Sequence, residues 1–236
     1  MSYLGALVLL SLLILIHEAG HLAAAKWTGI PVAGFSVGFG PKVWARRWGA
    51  TEYSLRAFPL GGFVLPDADE EEFRAIALRK RLVFFVSGPL ANVAAALPLF
   101  ALLNAAGRWP SFYGILIAPF VEVPQACMQL LSLLPSLVTH PKEITGVVGI
   151  VVEGGRVVQA GRALELGISL TISLAVLNLL PIPIPILDGG QILLSCVEEV
   201  FPRSARLRVP LTLVGMIALV GLMIFSNVQD AIRYWG

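Results

Sequence analysis

The sequence predicts a membrane α-helical fold of about four transmembrane helices, with a small membrane-associated β-sheet after the first helix. Three observations carry this. Hydrophobic residues make up 57% of the 236 and charged residues only 14%, where a soluble domain has about 45–50% and about 25%. Several apolar stretches approach the roughly 20 residues that a spanning helix requires. After the first of them the pattern changes from unbroken apolar to alternating, with glycines at 34, 38, 40, 49, 61 and 62, as expected where helix gives way to strand.

The first span covers residues 4–25, and its strongly polar members are confined to His17-Glu18-Ala19-Gly20-His21. Its front half resembles a signal peptide, but it has no positively charged start and no small-residue cleavage site, and the apolar run continues past Glu18 to Ala25. It reads as a retained helix. Residues 31–66 alternate as strands do, in Val43-Trp44-Ala45-Arg46 and Glu52-Tyr53-Ser54-Leu55-Arg56, with turns expected at Gly40-Pro41 and Gly49. So many aromatics beside a membrane helix suggest a re-entrant sheet whose edges are covered by protein or line a wet cavity. An open edge of that sheet could take an extended peptide as a further strand.

The acidic run at 67–72 reads as a solvated linker. Arg79-Lys80-Arg81 precedes the second span, residues 82–106. Residues 111–138 are apolar but carry Pro119, Pro124 and Pro135, which favours an interfacial amphipathic helix at about 123–138 over a further span. The third span, 166–187, ends in Pro181, Pro183 and Pro185 and cannot stay helical there. The fourth covers 209–225. No internal repeat is apparent, and residues 1–236 read as one membrane-embedded domain.

A net charge of +2 gives no basis for binding nucleic acid, and Cys127 and Cys196, 69 positions apart, read as two buried thiols. Residues 26–81 and 188–209 together hold 12 of the 17 Lys and Arg residues. The positive-inside rule therefore puts these loops in the cytoplasm and the N-terminus outside.

His17 and His21, four apart, share one helix face. Two imidazoles at that spacing can bind one Zn²⁺, with Glu18 placed as general base. Chance produces HExxH in unrelated helices, but ionisable groups inside an apolar span cost roughly 2.5–3.5 kcal/mol and mark function. A catalytic zinc takes a third protein ligand. His140, before Pro141 and on the far side by the charge rule, reads as a loop residue. Asp188, in Leu187-Asp188-Gly189-Gly190, falls at the depth of His17 and His21. It is either that ligand or the cap of a following helix. Asp230 falls at the wrong depth or on the wrong side.

At these residues the chain resembles the site-2 protease family of intramembrane zinc metalloproteases, in its RseP-type branch. The resemblance rests on an ordered set of segments: HEAGH at 17–21, FSVGFGP at 35–41, EYSLR at 52–56, PLGGFV at 59–64, SGPLAN at 87–92, GVVGI at 146–150 and LDGG at 187–190. It implies zinc held by His17, His21 and Asp188, with Glu18 catalytic. It implies cleavage within or beside transmembrane segments of single-span membrane proteins, such as anti-sigma factors or remnant signal peptides, in the bacterial inner membrane and after a site-1 protease. It also implies a re-entrant sheet that guides substrate, with Gly61, Gly62, Phe63 and Asn178 as substrate-binding residues.

Two departures stand out. Relatives of this type carry a PDZ domain between the second and third spans, whereas residues 107–145 number only 39, too few for one. An additional Ile-Pro unit sets Asn178 ten residues before Asp188 instead of eight, which puts the family role of Asn178 in doubt. Two other classes compete with the protease reading. A catalytically silent homologue that binds membrane proteins is disfavoured by the retained Glu18. A small transporter is disfavoured by the absence of pseudo-symmetric halves. A rhomboid-type serine protease finds no serine–histidine pair in the spans.

Overall fold

The computed structural model describes residues 2–139, 145–184 and 186–235. Helix α1 (Ser2–Thr28) is built from good helix formers and meets its breaker at Gly29, which turns left-handed with φ 74°. Ile30 N–H then reaches back to the Ala25 carbonyl at 2.8 Å. This is a Schellman closure, in which the residue without a Cβ takes the turn and the last carbonyls find donors.

Strands β1 (Val32–Trp48) and β2 (Thr51–Pro66) form the expected sheet and turn at Gly49 (φ 62°). At Gly40-Pro41, where a turn is expected, the strand bends without ending: Gly40 has φ 85° and the register shifts between Phe39 and Lys42. Because both strands fold over, residues 34–37 lie between 52–55 on one side and 62–65 on the other. Residues 62–65 are therefore an outer edge, paired on one side only.

The acidic run is not a bare linker. Asp69 caps a short helix, α2 (Glu70–Ala75), by accepting from the backbone of Glu71 and Glu72, while Glu72 reaches back to the Asp69 N–H. This reciprocal capping box turns an acidic sequence into a helix start. Helix α3 (Leu78–Leu103) runs into a π-turn at Asn104–Arg108, followed by α4 (Phe112–Leu116) and α5 (Pro119–Thr139). Helix α5 thus starts about one turn before the expected 123, with Pro119 at its first position, where a missing N–H costs nothing.

Residues 147–159 form a helix, α6 (Val147–Gln159), that the sequence periodicity does not announce. Its glycines serve packing. A Cβ on Gly154 would come 3.1 Å from Ala6 Cβ, and one on Gly155 would come 2.3 Å from the Tyr3 ring, so α6 lies close along α1 in the manner of small-residue helix contacts. Helix α7 (Ala163–Leu179) stops just before the prolines. The stretch expected as a span over 166–187 is therefore helical only to Leu179. Helix α8 (Asp188–Val200), a 3₁₀ turn at Pro202–Leu207 and α9 (Arg208–Trp235) complete the chain.

Among the described residues, three helices are long and apolar enough to cross a membrane: Ser2–Thr28, Leu78–Arg108 and Pro202–Tyr234. Helix α7 is apolar but has 17 residues, and α5, at 21 residues, is not among the candidates. One core joins α3, α5 and α7 through Ala96, Phe100, Val123, Ile168, Ile172 and Val176. A second joins the end of α1, the start of β1 and α3 through Ala25, Ile30, Val32, Phe84 and Phe85. Helix α9 instead exposes Leu213, Val214, Ile217 and Ile224, a continuous apolar surface of the kind that marks an apolar surrounding. Cys127 and Cys196 are free and half-buried.

Candidate metal centre

The register of α1 turns His17, Gly20 and His21 toward α3. Glycine is needed at 20 because a Cβ there would come 2.4 Å from the Ser87 carbonyl oxygen and 2.7 Å from Ala91 Cβ. Gly88 is its counterpart on α3. A Cβ at 88 would come 2.3 Å from His21 Nε2 and 2.8 Å from His17 Nε2, in the space between the two imidazoles.

Asp188 reaches the same place from α8. The chain folds back through successive tight turns, with Ile182 N–H on Leu180 O at 2.8 Å and Ile184 N–H on Ile182 O at 2.6 Å. The paired glycines of LDGG make this possible: a Cβ on Gly189 would meet Leu180 O at 2.3 Å, and one on Gly190 would meet Ile184 O at 2.0 Å. The added Ile-Pro unit is taken up in these turns, of which Pro185 lies outside the described residues. Asp188 is the first helical residue of α8, and its side chain caps nothing; the capping alternative does not hold.

Three donors converge. His17 Nε2 lies 3.1 Å from Asp188 Oδ2, His21 Nε2 lies 3.4 Å from Asp188 Oδ1, and the two Nε2 atoms are 3.2 Å apart. Ligands about 2.0–2.1 Å from a tetrahedral metal lie about 3.3 Å from one another, so this triangle has the size of a zinc face. Asp188 Oδ2 is buried with no hydrogen-bond partner, a condition that a cation between the three would relieve. The residues fit a metal, and among the described residues this is the one such cluster of His, Cys, Asp and Glu. His140 lies outside the described residues.

Glu18, one position on from His17, lines the same cavity of about 440 Å³ as the three donors. The sheet edge passes over it: a Cβ on Gly62 would come 2.9 Å from Glu18 Cγ. Gly61, Gly62, Phe63 and Asn178 all line this cavity. The structure thus brings together every residue that the sequence nominates for metal, catalysis or substrate.

A profile of Peptidase family M50 matches residues 5–222. The chain belongs to this family. Among the proteins this M50 chain is similar to, the putative zinc metalloprotease all3971 of Nostoc sp. is 42% identical over 103 residues, which is 39% of this chain and 28% of that protein. Zinc metalloprotease Rip1 of Mycobacterium tuberculosis is 38% identical over 114 residues, 42% of this chain and 28% of that protein. The matched stretch spans less than a third of either relative.

Within this M50 chain several residues bear on the site that motif reading did not assign. Gly88 and Asn92 sit in the SGPLAN segment, four apart and so on one face of α3; that spacing was the available signal. Phe84 O lies 2.8 Å from His21 Nδ1, and the Asn92 amide lies 3.2 Å from His17 Nδ1. Gln191, one turn after Asp188, lines the cavity and accepts from Arg208 Nη1 at 2.6 Å. Arg208 is itself clamped by both oxygens of Glu198, at 2.8 and 3.0 Å. Asn178 donates to the Leu174 carbonyl at 3.0 Å, which fixes its amide at the cavity wall.

Proposed function

We propose that this chain is an intramembrane zinc endopeptidase that cleaves transmembrane segments of single-span membrane proteins in regulated proteolysis. One observation carries the reading: a zinc-sized triangle of His17, His21 and Asp188, with Glu18 beside it, under an open strand edge. Zinc, when bound, supplies a Lewis acid that favours attack by water at neutral pH. The protein's own groups do the rest. Glu18 takes the proton of the attacking water on its carboxylate and passes it to the leaving amide nitrogen. The edge at 62–65 pairs with the substrate backbone, which must be extended for its peptide bond to be reached. Phe63 and Asn178 flank that strand.

The rest of the reading follows from charge and hydropathy. Helices α1, α3, α7 and α9 are the four crossings, α5 lies along the interface, and the N-terminus is outside with the site near the cytoplasmic face of a bacterial inner membrane. Anti-sigma factors and remnant signal peptides are the substrate classes, reached after a site-1 protease has trimmed them. The purified protein is expected to hold about one zinc per chain and to cleave a single-span substrate in a chelator-sensitive way. His17→Ala is expected to lose the metal; unchanged zinc content in that variant would overturn the ligand assignment.

A further inference from the structure

The two metal-facing imidazoles are held from behind by different chemistry. His21 Nδ1 meets the Phe84 carbonyl, which can only accept. Nδ1 of His21 therefore carries the ring proton, and its Nε2 keeps a lone pair for a metal. His17 Nδ1 meets the side-chain amide of Asn92, which offers a donor or an acceptor depending on which way it faces.

Asn92 is fully buried, at 0% exposure, and its Oδ1 has no hydrogen-bond partner. In the arrangement present, Nδ2 faces His17 Nδ1. That ring nitrogen must then accept, which leaves the proton on Nε2, and a protonated Nε2 cannot ligate. Coordination through Nε2 reverses the requirement: Nδ1 carries the proton, and its partner has to be an oxygen. The amide oxygen without a partner is one half-turn away.

We propose that Asn92 is a positioning residue for the metal centre: its amide turns to present Oδ1 to His17 Nδ1–H, fixing the tautomer and ring orientation in which His17 Nε2 binds the metal. This rests on the zinc reading above. The residue is anchored independently of its side chain, because its backbone carbonyl accepts from Thr171 Oγ1 at 3.0 Å. Outer-shell acceptors of this kind are worth about 10–100-fold in metal affinity.

The test is competition for Zn²⁺ between a chromophoric chelator and the full chain in detergent, with the ligand-field spectrum of the Co²⁺ form as a second readout. Asn92→Leu, similar in size but without an acceptor, is expected to bind zinc about 10–100-fold more weakly and to shift the cobalt bands. Asn92→Ala makes the same measurement if leucine is not accommodated. Asn92→Asp keeps an acceptor oxygen and is expected to stay within about threefold of the parent, since carboxylates fill this role in histidine–zinc sites. Thr171→Val, which loosens only the backbone anchor, is expected to leave zinc affinity unchanged. Leucine or alanine variants that bind as tightly as the parent, or an aspartate variant as weak as the leucine one, would overturn the proposal. A parent protein that binds no zinc would instead overturn the metal reading itself.

Discussion

Asp188, half-buried as the first residue of α8, and Asp230, fully buried on α9 against the start of α6, are both acids set at the N-terminal end of a helix, yet they are met in opposite ways. Asp230, on α9, reaches α6, where its Oδ2 accepts from the backbone N–H of Gly146 and of Gly149, both at 2.8 Å. Glycine permits this approach: a Cβ at 146 or 149 would fall 2.9 or 2.8 Å from the carboxylate. The neighbouring Asn227 accepts from Val148 N–H at 3.0 Å. Fixed donors and the positive end of the helix thus compensate the charge of Asp230. Asp188 caps no backbone and faces two ring nitrogens. Each acid keeps one oxygen without a hydrogen bond, so an unpaired oxygen alone does not mark a metal site; the company of two imidazole nitrogens does.

The contrast can be broken at either end. The largest expected effect is from Asp188→Ala, which removes a proposed metal ligand: zinc affinity measured by chelator competition should fall by more than the roughly 100-fold limit of an outer-shell partner, with the thermal midpoint of the metal-free protein unchanged. Gly88→Ala comes next. Its Cβ would enter the space between the imidazoles, and overpacking of about 1–3 kcal/mol should appear as weaker zinc binding. Asp230→Asn should do the reverse of Asp188→Ala, costing about 1–3 kcal/mol of stability while zinc affinity stays at the parent value. If Asp230→Asn lost zinc, the separation between a structural acid and a metal-binding acid would fail.

The sequence made one side of this contrast readable and hid the other. His17, Glu18 and His21 are legible because helical spacing and the cost of polar groups in an apolar span act on neighbouring residues. Asp188 is legible by depth, and the end of α7 by its prolines. Gly88 and Asn92 act across a helix–helix contact, so their meaning depends on how α3 meets α1, which no local pattern encodes. Helix α6 is hidden for a related reason: Gly149, Gly154 and Gly155 weaken its helical signal, and they are repaid by contacts with α1 and α9. The acids at 70–72 suggest a linker until Asp69 and Glu72 are paired as a capping box. The departure at Asn178 is the reverse case. The spacing puts its place in doubt, yet tight turns bring it back to the cavity that holds Asp188.

The central claim is that the metal and the base at this site are separate parts of one hydrolytic machine. Glu18→Gln tests it most directly, read as cleavage of a single-span substrate alongside zinc content. The account predicts one zinc per chain, as in the parent, and a fall in cleavage of about 10²–10⁴-fold. Cleavage at the parent rate by a zinc-loaded Glu18→Gln protein would contradict it.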